Sequence, residues 1–238
     1  MIFRRIKAHV AKEDWFAVFI DFIIVVFGVF MGFQVQQWNQ ERGDRQLEQQ
    51  YLVRVLADVD ESIKRTTAGR DFVIGHTSSA KMIQTSLRSC QLPDDQKDGF
   101  ARGLFDLGKI VPATFLTGTI DEMQSSGTFS ILRNADIRDS LNELIADAQN
   151  DQNIFPLIYE NTVLETALIY ANVVYLMDET TKIKWENVEL DFDTMCQDKS
   201  IHAAISTLIV KDYENIDFLD RALDVLNRTK SALEEELG

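Results

Sequence analysis

The chain has 238 residues, 45% of them hydrophobic, and its 38 acidic and 24 basic residues give a formal net charge of −14 at pH 7. Such an excess of acid argues against nucleic acid as a partner, because the phosphate backbone is itself negative. The length leaves room for one domain with a hydrophobic core in addition to a membrane anchor.

One stretch, residues 15–38, is apolar enough to span a membrane. Within residues 16–33 only Asp21 is charged. A helix over residues 15–38 would be roughly 34 Å long, about a bilayer core with part of its interfaces. Trp15 and Trp38 would then lie where interfacial aromatic belts occur. The sequence therefore predicts a single-pass transmembrane anchor.

The charges around this anchor predict its orientation. Residues 1–14 hold four basic and two acidic residues, so the positive-inside rule makes them a cytoplasmic tail. The acidic remainder then lies in the periplasm of a bacterium. The start also resembles a secretory signal peptide, but the apolar run is longer than a signal core and no small-x-small cleavage site follows Gly32. We therefore expect a retained signal anchor in the bacterial inner membrane.

One face of the predicted anchor carries Asp21, Val25, Gly28 and Gly32. The two glycines form a G-x-x-x-G motif, which lets helix backbones approach closely in lipid. The favoured interpretation is a partner helix docked along this face, since intramembrane acids usually face protein or a water-filled cavity. The alternative is that Asp21 lies near the cytoplasmic end, where it reaches water or stays protonated.

Apolar residues recur at helical spacing beyond the anchor, with no proline before Pro93. This pattern predicts an all-α protein: the transmembrane helix continues into a stalk helix over residues 39–66, and residues 67–238 form an exported helical bundle. Gly127 fits a helix C-cap and Asn134 a helix N-cap. Seven helices are expected in chain order. The first continues from the anchor to about Arg65, the second covers Asp71–Ser89 and the third covers Gly99–Ile110. The fourth ends at Gly127, the fifth starts after Asn134, the sixth covers residues 153–177 and the seventh starts near Ser200.

Two of these segments carry further expectations. Residues 153–177 are hydrophobic most of the way round, which predicts a central helix, and Pro156 fits only in a first turn. Residues 182–192 are less helical and predict one short strand or an irregular loop. The last helix carries an apolar stripe that is interrupted by Asp212 and Lys230. Packing of this stripe within its own core is the favoured interpretation, and packing on the stalk or on a second copy of the chain is the alternative.

Cys90 and Cys196 both fall on the exported side, where an oxidising compartment allows a disulfide. The bridge would close a long loop and stabilise the fold. The alternative is two unrelated thiols.

A search for catalytic or metal-binding patterns finds none that is complete. His76 and His202 have no cysteine or histidine at metal-ligand spacing. The stretch Gly103–Lys109 matches the first part of a phosphate-binding loop, but Ile110 stands where the Mg²⁺-binding Ser or Thr is required. We therefore predict a non-enzyme without metal or cofactor. The acids Asp191, Asp193 and Asp198 lack the glycine and glutamate of a calcium loop and are interpreted as a solvated acidic loop.

Two stretches of the sequence form a combined pattern. In the first, Asp21 and Gly28 lie in the apolar run, which is followed by Q-x-x-x-W-N-x-x-R. In the second, one helix ends at S-S-G and another opens with an I-R pair. The residues of the two motifs are Gln34, Trp38, Asn39, Arg42, Ser125, Ser126, Gly127, Ile137 and Arg138. This pattern resembles a family of bacterial membrane proteins of unknown function, although its acid is usually glutamate. The resemblance implies a single-pass inner-membrane protein and no particular activity.

Residues 18–31 are also similar to the single membrane helix of proton-driven motor and energy-transducing subunits, in which an aspartate carries protons. The favoured hypothesis is a non-enzymatic accessory or scaffolding subunit whose partners are integral membrane proteins or further copies of the chain. The alternative is a proton-coupled subunit working through Asp21. A third hypothesis, a periplasmic hydrolase, has only unassigned carboxylates behind it.

Overall fold

The computed structural model describes residues 15–176 and 183–238. The described chain is almost entirely helical, so the predicted all-α class is confirmed. The predicted cytoplasmic tail, residues 1–14, lies outside the described residues. The elements are α1 (Trp15–Ser89), α2 (Lys97–Asp106), α3 (Gly118–Ser126), α4 (Ala135–Tyr170), β1 (Val173–Tyr175), β2 (Val188–Leu190), α5 (Phe192–Gln197) and α6 (Lys199–Leu237), with short 3-10 helices at Asp94–Gln96, Thr128–Ile131 and Trp185–Asn187.

The chain divides into two compact units, one up to Gln50 and one from Tyr51 to Gly238. Within its described residues, the first unit consists of the N-terminal part of α1. The second unit contains the rest of α1 and all later elements. The predicted boundary between stalk and bundle at residue 66 stays a prediction.

The predicted helix break between Arg65 and Asp71 is wrong, because α1 continues through this segment to Ser89. Tertiary contacts account for the small residues in this segment. The Thr66 hydroxyl accepts a hydrogen bond from the backbone N–H of Thr114 at 3.0 Å. A Cβ added to Gly69 would lie 2.8 Å from a Val111 methyl group. The small residues therefore admit the linker between α2 and α3 rather than ending the helix.

The core of the second unit forms between α1, α2 and α6. Phe100 and Leu104 of α2 are completely buried, as are Ile83 of α1 and Leu208 of α6. The α6 helix runs antiparallel to α1, as three pairs of residues show. These are Lys230 with Asp60, Arg70 with Asp220 and His76 with Asp212. The stripe of the last helix thus packs within its own chain, as favoured from the sequence.

The two helices predicted after Asn134 are one, because α4 runs from Ala135 to Tyr170 with Pro156 in its interior. The prediction that Pro156 lies in a first turn is wrong. The predicted central position is also wrong: Leu157, Leu164 and Leu168 are 60%, 71% and 49% exposed. Ile169 of α4 joins the core between α1, α2 and α6. The three leucines lie on another side of α4 and form an apolar stripe in contact with solvent.

The end of the predicted helix 153–177 also differs from expectation. Residues Val173–Tyr175 form β1, which pairs antiparallel with β2 at Val188–Leu190. The possibility of one strand in residues 182–192 is therefore confirmed by β2, whereas β1 was missed. Val173 is buried and Val174 is exposed, which is the alternation expected of a strand with one face against the core.

Candidate functional site

In the first unit, the candidate site is the face of α1 that carries Asp21, Val25, Gly28 and Gly32. Spacings of four, three and four residues place these side chains on one face of an α-helix. All four residues are exposed in the described chain. A Cβ added to Gly28 or Gly32 would meet nothing within 4 Å. The face is therefore open, and the two glycines leave room for a second helix to approach closely.

This part of α1 is also the one helix among the described residues that is long and apolar enough to cross a membrane. Its most apolar 18-residue window has a mean hydropathy of 2.4, and none of that window is buried. A core helix of a water-soluble protein hides such residues, so the exposure is unlike that role. By length and composition, this helix is compatible with a membrane anchor.

The motif residues Gln34, Trp38, Asn39 and Arg42 continue the same helix and are exposed. The Arg42 guanidinium lies 4.7 Å from the centroid of the Trp38 ring. This i, i+4 cation–π contact stabilises the helix where the apolar run ends. An aromatic ring next to a cation suits the interface between lipid and water.

The second motif builds the turn between α3 and α4. Gly127 ends α3 in the left-handed conformation with φ 77°, as predicted for its C-cap. The Ser126 hydroxyl donates to the Glu122 carbonyl at 2.8 Å, and the Ser125 hydroxyl donates to the same carbonyl at 3.0 Å.

On the other side of this turn, the Asn134 side chain accepts from the Asp136 N–H at 2.9 Å, which confirms the predicted N-cap. The Arg138 guanidinium donates to the carbonyls of Leu132 and Arg133. The Asn134 bond satisfies one of the N–H groups that the start of α4 leaves free. The Arg138 and serine bonds tie side chains of the motif to backbone carbonyls on either side of the turn. The motif therefore has a structural role in the second unit.

Cys90 and Cys196 form a disulfide with Cα atoms 5.5 Å apart, which is the predicted pairing. Cys90 follows directly after α1 and adopts φ 52°, a left-handed conformation that usually favours glycine. A cysteine at this position is understandable because it ties the end of α1 to α5.

A buried His–Asp pair joins α1 to α6. His76 Nε2 lies 3.1 Å from an Asp212 carboxylate oxygen, and the Thr77 hydroxyl donates to the other oxygen at 3.3 Å. His76 and Asp212 are each at least 95% buried. His76 Nδ1 has no hydrogen-bond partner in the described chain, so no hydroxyl or thiol is placed for this pair to activate. In the sequence, Asp212 was visible only as an interruption of an apolar stripe.

The described residues contain no group of three or more His, Cys, Asp or Glu side chains that could hold a metal ion. Two acids of the predicted acidic loop are helix caps: Asp191 accepts from the Thr194 N–H at 3.0 Å and Asp198 from the Ser200 N–H at 2.7 Å. Gly103 lies inside α2 rather than in a phosphate-binding loop.

The chain matches no family model, no curated protein and no solved structure.

Proposed function

We propose that the protein is a non-enzymatic, membrane-anchored accessory or scaffolding subunit of a bacterial inner-membrane complex. The observation that supports this proposal is the open face of α1. An apolar helix of membrane length exposes its whole surface, and its G-x-x-x-G pair contacts nothing within the described chain. In lipid, close backbone packing at small residues drives helix association. The face of Asp21, Gly28 and Gly32 is therefore the surface through which the subunit docks onto a membrane protein.

Charge and the disulfide support the proposed compartment. The basic excess in residues 1–14 favours a cytoplasmic N-terminus and a periplasmic second unit. The bond between Cys90 and Cys196 supports this orientation, because disulfides persist in oxidising compartments such as the periplasm. The resemblance to single-pass inner-membrane proteins of unknown function points to the same membrane.

The alternative is a proton-coupled subunit of an energy-transducing or motor-type complex. Asp21 favours it, because this carboxylate shares a face with the two glycines and would lie against the docked partner. Carboxylates that face protein inside a membrane are typical of proton relays. An Asp21→Asn variant separates the two functions. A scaffold keeps its partner and its phenotype, whereas a proton-coupled subunit keeps its partner and loses proton-dependent function.

The proposal is tested by isolating the full-length protein from its native membranes in a mild detergent after crosslinking in intact cells. We expect the wild type to bring down an integral membrane protein and Gly28→Leu/Gly32→Leu to remain membrane-bound without it. The matched control is Val26→Leu/Phe30→Leu, which changes two exposed residues at the same four-residue spacing on the opposite face. If the glycine variant retains every partner of the wild type, docking through this face is wrong.

The same preparation tests the anchor itself. A retained signal anchor gives an intact mass that includes residues 15–38, and the protein stays in the membrane fraction after carbonate extraction. A mature protein that lacks these residues would make the apolar run a cleaved signal sequence, and the docking proposal would fail with it.

A further inference from the structure

A groove lies between α4 and α6 in the second unit. It encloses a cavity of about 610 Å³, within the size range of ligand-binding sites. Its walls come from the two helices and from the linker before α3. The floor is apolar and is formed by Phe115, Ile154, Phe155, Ile158, Phe218 and Val225.

The groove is long enough for several turns of helix. On α4 its lining runs from Asp147 to Ile158, which is about 17 Å along the helix axis, and on α6 it runs from Glu214 to Arg228, which is about 21 Å. The two helices are antiparallel. The groove therefore matches the length of an amphipathic helix of roughly 11 to 14 residues.

Contacts near its two ends hold the groove in shape. At one end Arg228 donates to the Glu143 carboxylate at 2.9 Å and so joins α6 to α4. At the other end the Asn215 side chain accepts from the Val111 N–H at 3.0 Å and donates to the Val111 carbonyl at 2.9 Å. A binding surface that is formed in advance loses less conformational entropy when a ligand binds.

The rim of the groove is acidic. Asp147, Glu214, Asp217 and Asp224 line it, against two arginines. Both arginines are already paired, Arg221 with Asp217 at 2.6 Å and Arg228 with Glu143. Glu214 is paired with Lys211 at 2.7 Å. Asp147 and Asp224 form no salt bridge among the described residues, so two carboxylates on opposite helices line the groove without a direct ion-pair partner.

Asp147 is the less exposed of these two acids. Burial and the neighbouring charge of Glu143 raise the pKa of Asp147, with a partial opposing effect from Arg228. A cation placed beside this carboxylate would relieve the repulsion from Glu143. The second carboxylate, Asp224, is exposed on α6 and would meet the same ligand from the other side.

We propose that the α4–α6 groove binds a basic amphipathic helix of a partner protein. Its apolar side chains lie on the floor beside Ile154, and its Lys or Arg side chains lie beside Asp147 and Asp224. Charge decides between the possible occupants. An anionic lipid surface would be repelled by the rim, and a second copy of this chain, at −14, would bring acid to acid. This inference rests on the groove alone and does not depend on how α1 docks.

The test uses the full-length protein in nanodiscs of phosphatidylcholine, with empty nanodiscs as the blank. The probe is a fluorescein-labelled 14-residue peptide with Leu at positions i, i+3, i+7 and i+11 and Lys and Ala elsewhere. A matched peptide has Glu in place of every Lys. We expect saturable binding of the Lys peptide, at least tenfold tighter than that of the Glu peptide, measured by fluorescence anisotropy. The absence of saturable binding, or equal binding of both peptides, would overturn the proposal.

Variants then locate the binding surface. Ile154→Lys places a cation on the groove floor and should weaken binding at least tenfold. Its matched control is Leu157→Lys on the next turn, which changes an exposed residue outside the groove and should alter affinity less than twofold. Asp147→Asn/Asp224→Asn keeps the shape of the rim and should weaken binding several-fold while flattening its dependence on salt. Unchanged affinity in Ile154→Lys, with native far-ultraviolet circular dichroism, would contradict the assignment.

Two further outcomes would assign the groove to another occupant. If the wild type forms dimers that Ile154→Lys abolishes and Leu157→Lys does not, the groove binds a second copy. If binding to nanodiscs that contain anionic lipid depends on Ile154 while the Lys peptide does not bind, the groove contacts lipid. Either result would overturn the proposal, and neither would bear on the docking face of α1.

Discussion

Two pairs of glycines, one in each unit of the molecule, have opposite environments. In the membrane-length part of α1, a Cβ added to Gly28 or Gly32 would meet nothing within 4 Å. In the second unit, a Cβ on Gly103 would lie 2.8 Å from an Ile83 methyl group, and one on Gly108 would collide with Thr166. Packing within the chain explains Gly103 and Gly108. It does not explain Gly28 and Gly32, which is why we assign them to contact with another helix.

The comparison predicts that glycine substitutions have separate consequences in the two units. Folding of the second unit can be followed alone, because Trp185 is the one tryptophan outside residues 15–38. A background with Trp15→Phe and Trp38→Phe leaves Trp185 as the only source of tryptophan fluorescence. Trp185 contacts the buried Phe100 ring at a centroid distance of 6.2 Å, so its signal reports the packing of the core. Urea titration of the detergent-solubilised chain then reports the free energy of unfolding of this unit.

The largest effect is expected for Gly108→Val. Gly108 has φ 77°, which a β-branched residue adopts only with strain, and the new side chain would collide with Thr166 and Leu208. Strain and overpacking together should lower the free energy of unfolding by about 2–5 kcal/mol. Gly75→Ala, at an exposed and open helical position, is the control and should raise it by about 0.5–1 kcal/mol. A loss below about 1 kcal/mol for Gly108→Val would show that the site has more room than the contacts indicate.

The next effect is expected for the disulfide. Replacing both cysteines by serine removes a link between residues 106 positions apart and should lower the free energy of unfolding by about 2–4 kcal/mol. A reducing agent should bring the wild type to the level of Cys90→Ser/Cys196→Ser and leave that variant unchanged. Equal stability of the oxidised wild type and the variant would mean that the bond adds nothing to the second unit.

Asp151→Asn is expected to have a smaller effect, and to raise the free energy of unfolding rather than lower it. Burial raises the pKa of Asp151 to about 6, and one of its carboxylate oxygens has no hydrogen-bond partner in the described chain. Between about pH 4 and about pH 6, the folded protein therefore keeps a proton that the unfolded chain releases. The contribution of Asp151 to the free energy of unfolding falls as the pH rises from about 4 to about 6. Asp151→Asn should raise the free energy of unfolding by about 1–3 kcal/mol at neutral pH and by little near pH 4.

Asp139→Asn is the control for this pH dependence, since Asp139 is an exposed acid on the same helix. Its effect should stay below about 0.5 kcal/mol at both pH values. A gain for Asp151→Asn that does not vary between the two pH values would contradict the assigned origin in charge burial.

The smallest effect on folding is expected for Gly28→Leu/Gly32→Leu. Because a Cβ at either glycine would meet nothing within 4 Å among the described residues, the stability of the second unit should change by less than about 0.5 kcal/mol. The helix should still insert, because leucine favours insertion. If this variant destabilises the second unit as much as Gly108→Val does, the proposed difference between the glycines of the two units is wrong. The glycines would then serve folding rather than association.

The sequence alone determined the features that depend on neighbours along the chain. The apolar run of residues 15–38, the C-cap at Gly127 and the N-cap at Asn134 are set by hydropathy and by hydrogen bonds between residues close in sequence. The all-α class followed from the helical spacing of apolar residues. With only two cysteines the sequence offered one possible pairing, but the tertiary structure decided it by placing the two Cα atoms 5.5 Å apart.

Only the tertiary structure decided what depends on distant parts of the chain. Whether residues 173–175 form a strand depends on Val188–Leu190 as their partner. The exposure of Leu164 depends on which side of α4 joins the core between α1, α2 and α6. The burial of Asp212 depends on His76, 136 residues earlier, being placed to receive it. Periodicity identifies the apolar face of a helix but not the surface that covers it, and so the groove between α4 and α6 became visible only when both helices were placed side by side.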